Sequence, residues 1–141
     1  MADATSDFTT WVATLPTKHQ LLEKIDSLAI SADSKAILHD LVSVTVEAGG
    51  RLIAVGRRIV SFIFDLTREF PNTAFGLIVA LVISALIASV PVLGPVLGAV
   101  LTPLLIAFGL GAGALADLRH RHITSRVKVL ETEFAAVVGN A

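Results

Sequence analysis

The longest feature of the hydrophobic pattern is an uninterrupted apolar segment in the middle of the chain. Residues 70–116 form a run of 47 residues without Asp, Glu, Lys, Arg or His. A single membrane-spanning helix needs about 20 such residues, so this run is long enough for two helices and a turn. Pro91 and Pro95, with Gly94 between them, break a helix near the middle of the run. The pattern therefore predicts a helical hairpin over residues 72–116, with its turn at these three residues.

Amphipathic helices are predicted on both sides of this hairpin. Residues 1–50 contain two short stripes of apolar positions at helical spacing, with an N-cap signal at Ser31 and an expected break at Gly49–Gly50. A longer stripe, at alternating three- and four-residue spacing, predicts a helix over 51–71. Another stripe predicts a tail helix over 117–141 that begins with basic residues. The expected fold class is an all-α membrane protein in which amphipathic helices flank a transmembrane or re-entrant hairpin.

Basic residues lie on both sides of the hairpin, and its turn carries no charge. The arginines expected to contact lipid headgroups are Arg51, Arg57, Arg58, Arg68, Arg119 and Arg121. The positive-inside rule then places both termini in the cytoplasm, at a bacterial inner membrane or its equivalent. The uncharged turn leaves open whether the hairpin spans the bilayer or re-enters on the same side. The helix over 51–71 also has two interpretations, because it could lie in the headgroup plane or pack against partner subunits.

Small residues recur at every fourth position of the hairpin. They are Gly76, Ala80, Ser84 and Ala88 in the first arm, and Gly94, Gly98 and Thr102, then Gly109 and Gly113, in the second. Small side chains at this spacing let helices approach closely in lipid, where packing rather than the hydrophobic effect drives association. We therefore expect these positions to form a packing interface, either within the hairpin or between copies of the chain.

Composition narrows the class of protein. Hydrophobic residues make up 54% of the chain and charged residues 16%, against usual values of about 45–50% and about 25%. This excludes a disordered chain and disfavours an ordinary soluble domain. Eleven basic against twelve acidic residues give a net charge of −1, which argues against a nucleic-acid partner. The first 46 residues carry three basic and six acidic groups, so we expect them to contact a soluble protein partner rather than lipid.

The apolar run also excludes several kinds of chemistry. A coupled transporter usually needs an ionisable group within the membrane, and this run has none. The chain has no cysteine and no nucleophile-elbow, zinc-protease or phosphate-loop motif, so we expect no enzyme activity and no cofactor. His120 and His122 are two residues apart, on different faces of a helix, so no metal site is expected either.

Three functional hypotheses follow from these patterns. In the first, which we favour, the hairpins of several chains assemble into a pore or another membrane-permeabilising structure, as in a toxin or effector. In the second, the chain shapes the bilayer or anchors a larger complex to it. In the third, a soluble bundle buries the hairpin until it is triggered.

Overall fold

The computed structural model describes residues 16–48, 50–71, 74–109 and 121–139, and this part of the chain is mostly helical. The helical class predicted from the sequence is therefore confirmed. In chain order the elements are α1 (Lys18–Asp26), α2 (Ala32–Val42), β1 (Val46–Ala48), β2 (Arg51–Ile53), α3 (Val55–Glu69), α4 (Phe75–Ser89), a 3-10 turn (Pro91–Leu93), α5 (Gly94–Ala107) and α6 (Arg121–Gly139).

The first two helices begin at side-chain caps. The Thr17 hydroxyl accepts from the Gln20 backbone N–H at 3.1 Å, and the Gln20 side chain accepts from the Thr17 N–H at 2.9 Å. This reciprocal pair is a capping box, which satisfies two amides that a helix start leaves without partners. Ser31 caps α2 by accepting from the backbone N–H of Ser34, as the sequence predicts.

A short antiparallel hairpin replaces the start of the third predicted helix. Val46 pairs with Ile53 and Glu47 with Leu52, while Gly50 adopts a φ of 77°, a left-handed conformation that glycine tolerates. Alternation along the strands buries Val46 and Ile53 and leaves Leu52 68% exposed. The helix expected from Arg51 therefore begins at Val55. The chain reverses at Gly50 instead of kinking, and the β-branched residues Val46 and Ile53 favour extended backbone.

Helix α4 lies at the centre of the molecule. It packs against α3, α5 and α6, while α5 also packs against α2. The large side chains of α4 that are removed from water are Ile78, Val79, Val82, Ile83 and Leu86. The amphipathic neighbours contribute their apolar stripes to the same core, including every predicted stripe position of the tail helix: Ile123, Val127, Leu130 and Phe134.

Neither arm of the apolar pair is, by itself, long and apolar enough to cross a membrane. Among the described residues, only the pair Phe75–Ser89 and Pro91–Ala107 passes that test together, and it bends by 120° at the break. Helix α4 has 15 residues and α5 has 14, so at about 1.5 Å per residue each is about 22 Å long or shorter. A hydrocarbon core is about 30 Å thick, which exceeds the length of either arm.

Gly56 allows the first turn of α3 to approach the end of α2. Its backbone N–H donates to the Val44 carbonyl at 3.0 Å, and a Cβ at this position would overlap the carbonyl oxygen of Leu41.

We therefore expect Gly56→Ala to lower the free energy of unfolding by about 3 kcal/mol, because the backbone of α2 or α3 would have to move. Gly98→Ala is the matched control, since nothing lies near a Cβ there. It should be neutral or stabilising by up to about 1 kcal/mol. Urea unfolding of both variants measures the difference, and equal midpoints would contradict this close approach.

Candidate functional site

The candidate site is the apolar helix pair α4–α5, whose two members differ sharply in exposure. The buried face of α4 extends over its whole length, and only its last two residues are exposed. Helix α5 buries only Leu97 and Leu104. Its exposed positions are Pro95, Gly98, Ala99, Thr102, Pro103 and Ile106, and Ile106 is 75% exposed. The pair therefore presents an uncharged outer face, formed by α5 alone.

The small residues of α4 begin inside the protein. Gly76 is buried, and a Cβ there would lie 2.8 Å from the Phe108 ring, so this glycine admits the end of α5. Ala80 is buried, Ser84 is half-buried and Ala88 is exposed. The first part of this stripe therefore packs within the chain. Phe108 in turn meets Phe75 edge-on, with 6.2 Å between their ring centroids.

The small residues of α5 lack neighbours among the residues that the structure describes. No described atom from another part of the fold lies within 4 Å of a Cβ built at Gly94 or at Gly98, and Thr102 is exposed. Among the described residues, the rest of the hairpin therefore does not cover Gly98 or Thr102. Packing of this stripe against a second copy of the chain stays a prediction.

Two of the predicted packing glycines fall beyond the end of α5. Gly109 has a φ of 69°, and its N–H bonds to the Ile106 carbonyl at 3.0 Å. A left-handed glycine directly after a helix is a common way to end it, so Gly109 terminates α5 at Ala107. The helix therefore ends before residue 116, the predicted end of the hairpin, and residues 110–116 lie outside the described part of the chain. Gly113 lies outside the described residues.

The turn residues of the hairpin have separate roles. Pro91 opens the 3-10 turn, while Gly94 and Pro95 form the first positions of α5. Proline is tolerated in the first turn of a helix because its missing N–H has no intrahelical partner there. Pro103 lies inside α5 and removes one backbone hydrogen bond from it.

The arginines expected to contact lipid differ in what they bind. Arg57 donates through Nε and Nη2 to the Pro16 carbonyl at 3.1 and 2.7 Å, and Arg58 lies 2.6 Å from the Glu133 carboxylate. Arg68, whose side chain is 73% exposed, pairs with Asp65 in its own helix at 3.2 Å. Arg51 lies in β2 and Arg121 begins α6, but their side chains are outside the described part of the chain, as is Arg119.

A polar seam that the sequence does not reveal joins α3 to α6. The α3–α6 seam consists of Arg58, Phe62, Glu69, Arg126 and Glu133. Arg126 pairs with Glu69 at 3.0 Å, and the guanidinium groups of Arg58 and Arg126 lie 5.8 and 6.0 Å from the Phe62 ring centroid, within cation–π range. The two ion pairs join positions 75 and 57 residues apart, so no local spacing could have indicated them.

A shallow apolar groove separates α5 from α2. Its volume is about 450 Å³, and it is lined by Asp33, Ala36, Ile37, Thr102, Pro103, Ile106 and Ala107. At one end the buried Ser34 hydroxyl donates to the Ala107 carbonyl at 3.3 Å, which satisfies one of the last carbonyls of α5. The groove thus lies where the predicted cytosolic helices meet the predicted membrane pair.

Comparisons with protein-family models, curated proteins and solved structures find no match to this chain. Within the described residues, no three His, Cys, Asp or Glu side chains lie close enough together to hold a metal ion. The functional assignment therefore rests on the chain's own residues, chiefly the uncharged outer face of α5.

Arg68 offers the cleanest test of headgroup contact, because its partner Asp65 lies in the same helix and its side chain is 73% exposed, whereas Arg57 and Arg58 bind groups on other segments. We expect Arg68→Glu to weaken cosedimentation with anionic vesicles by about thirtyfold, since the reversal changes the charge by two units and each unit near such a surface is worth about 1 kcal/mol. Lys18→Glu changes the charge equally on α1, an exposed site in the acidic N-terminal region, and should bind like the unchanged protein. Equal binding of the two variants would remove the proposed role of Arg68.

Proposed function

We propose that this chain is a small self-associating membrane protein whose apolar pair α4–α5 enters the bilayer and whose copies assemble through the outer face of α5. The exposure of that face is the observation that carries the proposal. An uncharged surface containing Gly98, Ala99, Thr102 and a 75% exposed Ile106 is costly in water and suits contact with lipid or with a second helix.

In this proposal the pair enters the membrane as a re-entrant wedge. Each arm is about 22 Å long or less, and the bend between them is 120°, so the observed shape is too short to cross a core of about 30 Å. Both flanks would then lie on the cytoplasmic side, as the positive-inside rule predicts. Two arms have too little perimeter to enclose a channel, so a pore would require several chains around an axis.

The second candidate function is that of a membrane-shaping scaffold or an anchor for a larger complex. The groove of about 450 Å³ between α2 and α5 favours it, because this groove offers a soluble partner an apolar surface beside the membrane pair. Both candidate functions use the same wedge. They differ in the effect on the bilayer, because a pore permeabilises it and a scaffold or anchor does not.

Release of an encapsulated dye from vesicles distinguishes these functions. We expect the purified protein to release the dye with a steep dependence on protein concentration, because several chains must meet before a continuous path exists. Tubulated vesicles that retain their dye would favour the scaffold. A protein that stays in the supernatant at every lipid composition would contradict both candidates.

Substitution of Gly98 tests the assembly interface. Gly98→Leu should leave the fold intact, because no described atom from another part of the fold lies within 4 Å of a Cβ there and Gly98 is exposed, but it should separate helices that approach through this face. Gly98→Ala keeps a small side chain and serves as the matched control. We expect the detergent-extracted particle to shrink, and dye release to fall, for leucine alone. Particles of unchanged size in Gly98→Leu would show that this stripe is not the interface.

A further inference from the structure

We propose that the α3–α6 seam is a latch that holds α6 over α4 and must open before the apolar pair can enter a bilayer. This inference rests on the proposed function, since it concerns how the same pair becomes accessible. It starts from the difference between the two arms: α5 already shows an uncharged face, whereas α4 is covered along its length.

Helices α3 and α6, which cover α4, cannot enter hydrocarbon together with it in their present arrangement. Helix α6 buries its apolar stripe against the core, but its other side carries Arg126, Lys128, Glu131 and Glu133. Helix α3 likewise carries Asp65, Arg68 and Glu69 on exposed positions. Ionised side chains at the depth of the bilayer core are costly. Entry of α4 therefore requires that at least one charged neighbour moves aside.

Helix α6 is the neighbour whose attachment is suited to release. Its packing contacts with other elements are chiefly with α4 and β1, and the two ion pairs of the seam join it to α3. The seam is not tightly filled, because a cavity of about 50 Å³ lies among Arg58, Phe62, Asp65, Arg126, Val129 and Leu130. Helix α3, by contrast, is joined to both α2 and α4 by close contacts.

The ion pairs of the seam also favour the closed form, in which α6 covers α4, over the form in which α4 has entered the bilayer. Apolar side chains of α4 that leave α6 can find equivalent contacts with lipid tails, which are as apolar as leucine. The ion pairs find no equivalent partner in hydrocarbon. The Arg58–Glu133 pair is the stronger constraint, because its side chains are only 23% and 28% exposed and the bond is charge-assisted at 2.6 Å.

Reversal of one seam charge tests the latch. Glu133→Arg places a third cation beside Arg58 and Arg126, and we expect amide hydrogen exchange in α4 and α6 to rise about tenfold in solution. Glu131→Arg makes the same charge change two positions away, where the described residues form no ion pair, and should leave exchange in α4 unchanged. The double variant Arg58→Glu with Glu133→Arg restores opposite charges and should return exchange to its original rate.

Vesicle insertion of the same variants provides the second measurement, with the fraction that resists alkaline extraction from phosphatidylcholine–phosphatidylglycerol vesicles as the readout. Glu133→Arg should insert about tenfold faster than Glu131→Arg, although both gain the same positive charge. The double variant should insert at the rate of the unchanged protein. If Arg58 acted only through lipid headgroups, moving its charge to position 133 would not restore that rate.

The outcomes that overturn the latch are distinct from those that overturn the proposed function. Equal exchange in Glu133→Arg and Glu131→Arg would overturn the latch while leaving membrane entry intact. A rise in amide hydrogen exchange that extends equally to α1 and α2 would also overturn the latch, because that pattern reports global unfolding. If the seam variants change exchange in α4 as expected and no variant enters vesicles, the proposed function fails instead.

Discussion

Burial of α4 in a shell of other helices is the contact on which the rest of the fold depends, since this helix has no charged side chain with which to face water. Fully burying a large aliphatic side chain contributes about 2 kcal/mol, and five such side chains of α4 lie in the core. The need to bury α4 determines which face each neighbouring helix turns toward it. Helices α3 and α6 turn apolar stripes toward α4, while α5 folds back on it through the turn that begins at Pro91.

The cover over α4 combines two kinds of interaction with different consequences. Among the described side chains of α6, four are buried and contribute several kcal/mol by the same transfer estimate, whereas each partly exposed ion pair of the seam contributes about 1 kcal/mol or less. Apolar burial therefore supplies most of the affinity of α6 for the core. The seam adds a smaller contribution that depends on particular partners on α3. In the proposed latch, lipid tails can replace the apolar contacts of α6 but not these ion pairs.

Helix α5 has the opposite character, and this asymmetry links the fold to the proposed function. Its two buried leucines hold it to the bundle, while its small residues and Ile106 face outward. Placing the small residues inward would have made α5 one more core helix. In the proposed function, this outward face contacts a bilayer or a second copy of the chain, and the two short arms form a wedge instead of two full spans.

The sequence by itself determined the helical class, the apolar run with its break at Pro91–Pro95, and the buried stripes of α3 and α6. These features follow from periodicity and from proline's missing N–H, which act within a few residues of chain. The reversal at Gly50 was less predictable, because a glycine pair permits either a kink or a hairpin and pairing across the strands decides between them. Only the tertiary structure decided which small residues face inward and that Arg58 and Arg126 bind Glu133 and Glu69. Those outcomes depend on contacts between residues far apart in the chain, and such contacts leave no periodic signal in the sequence.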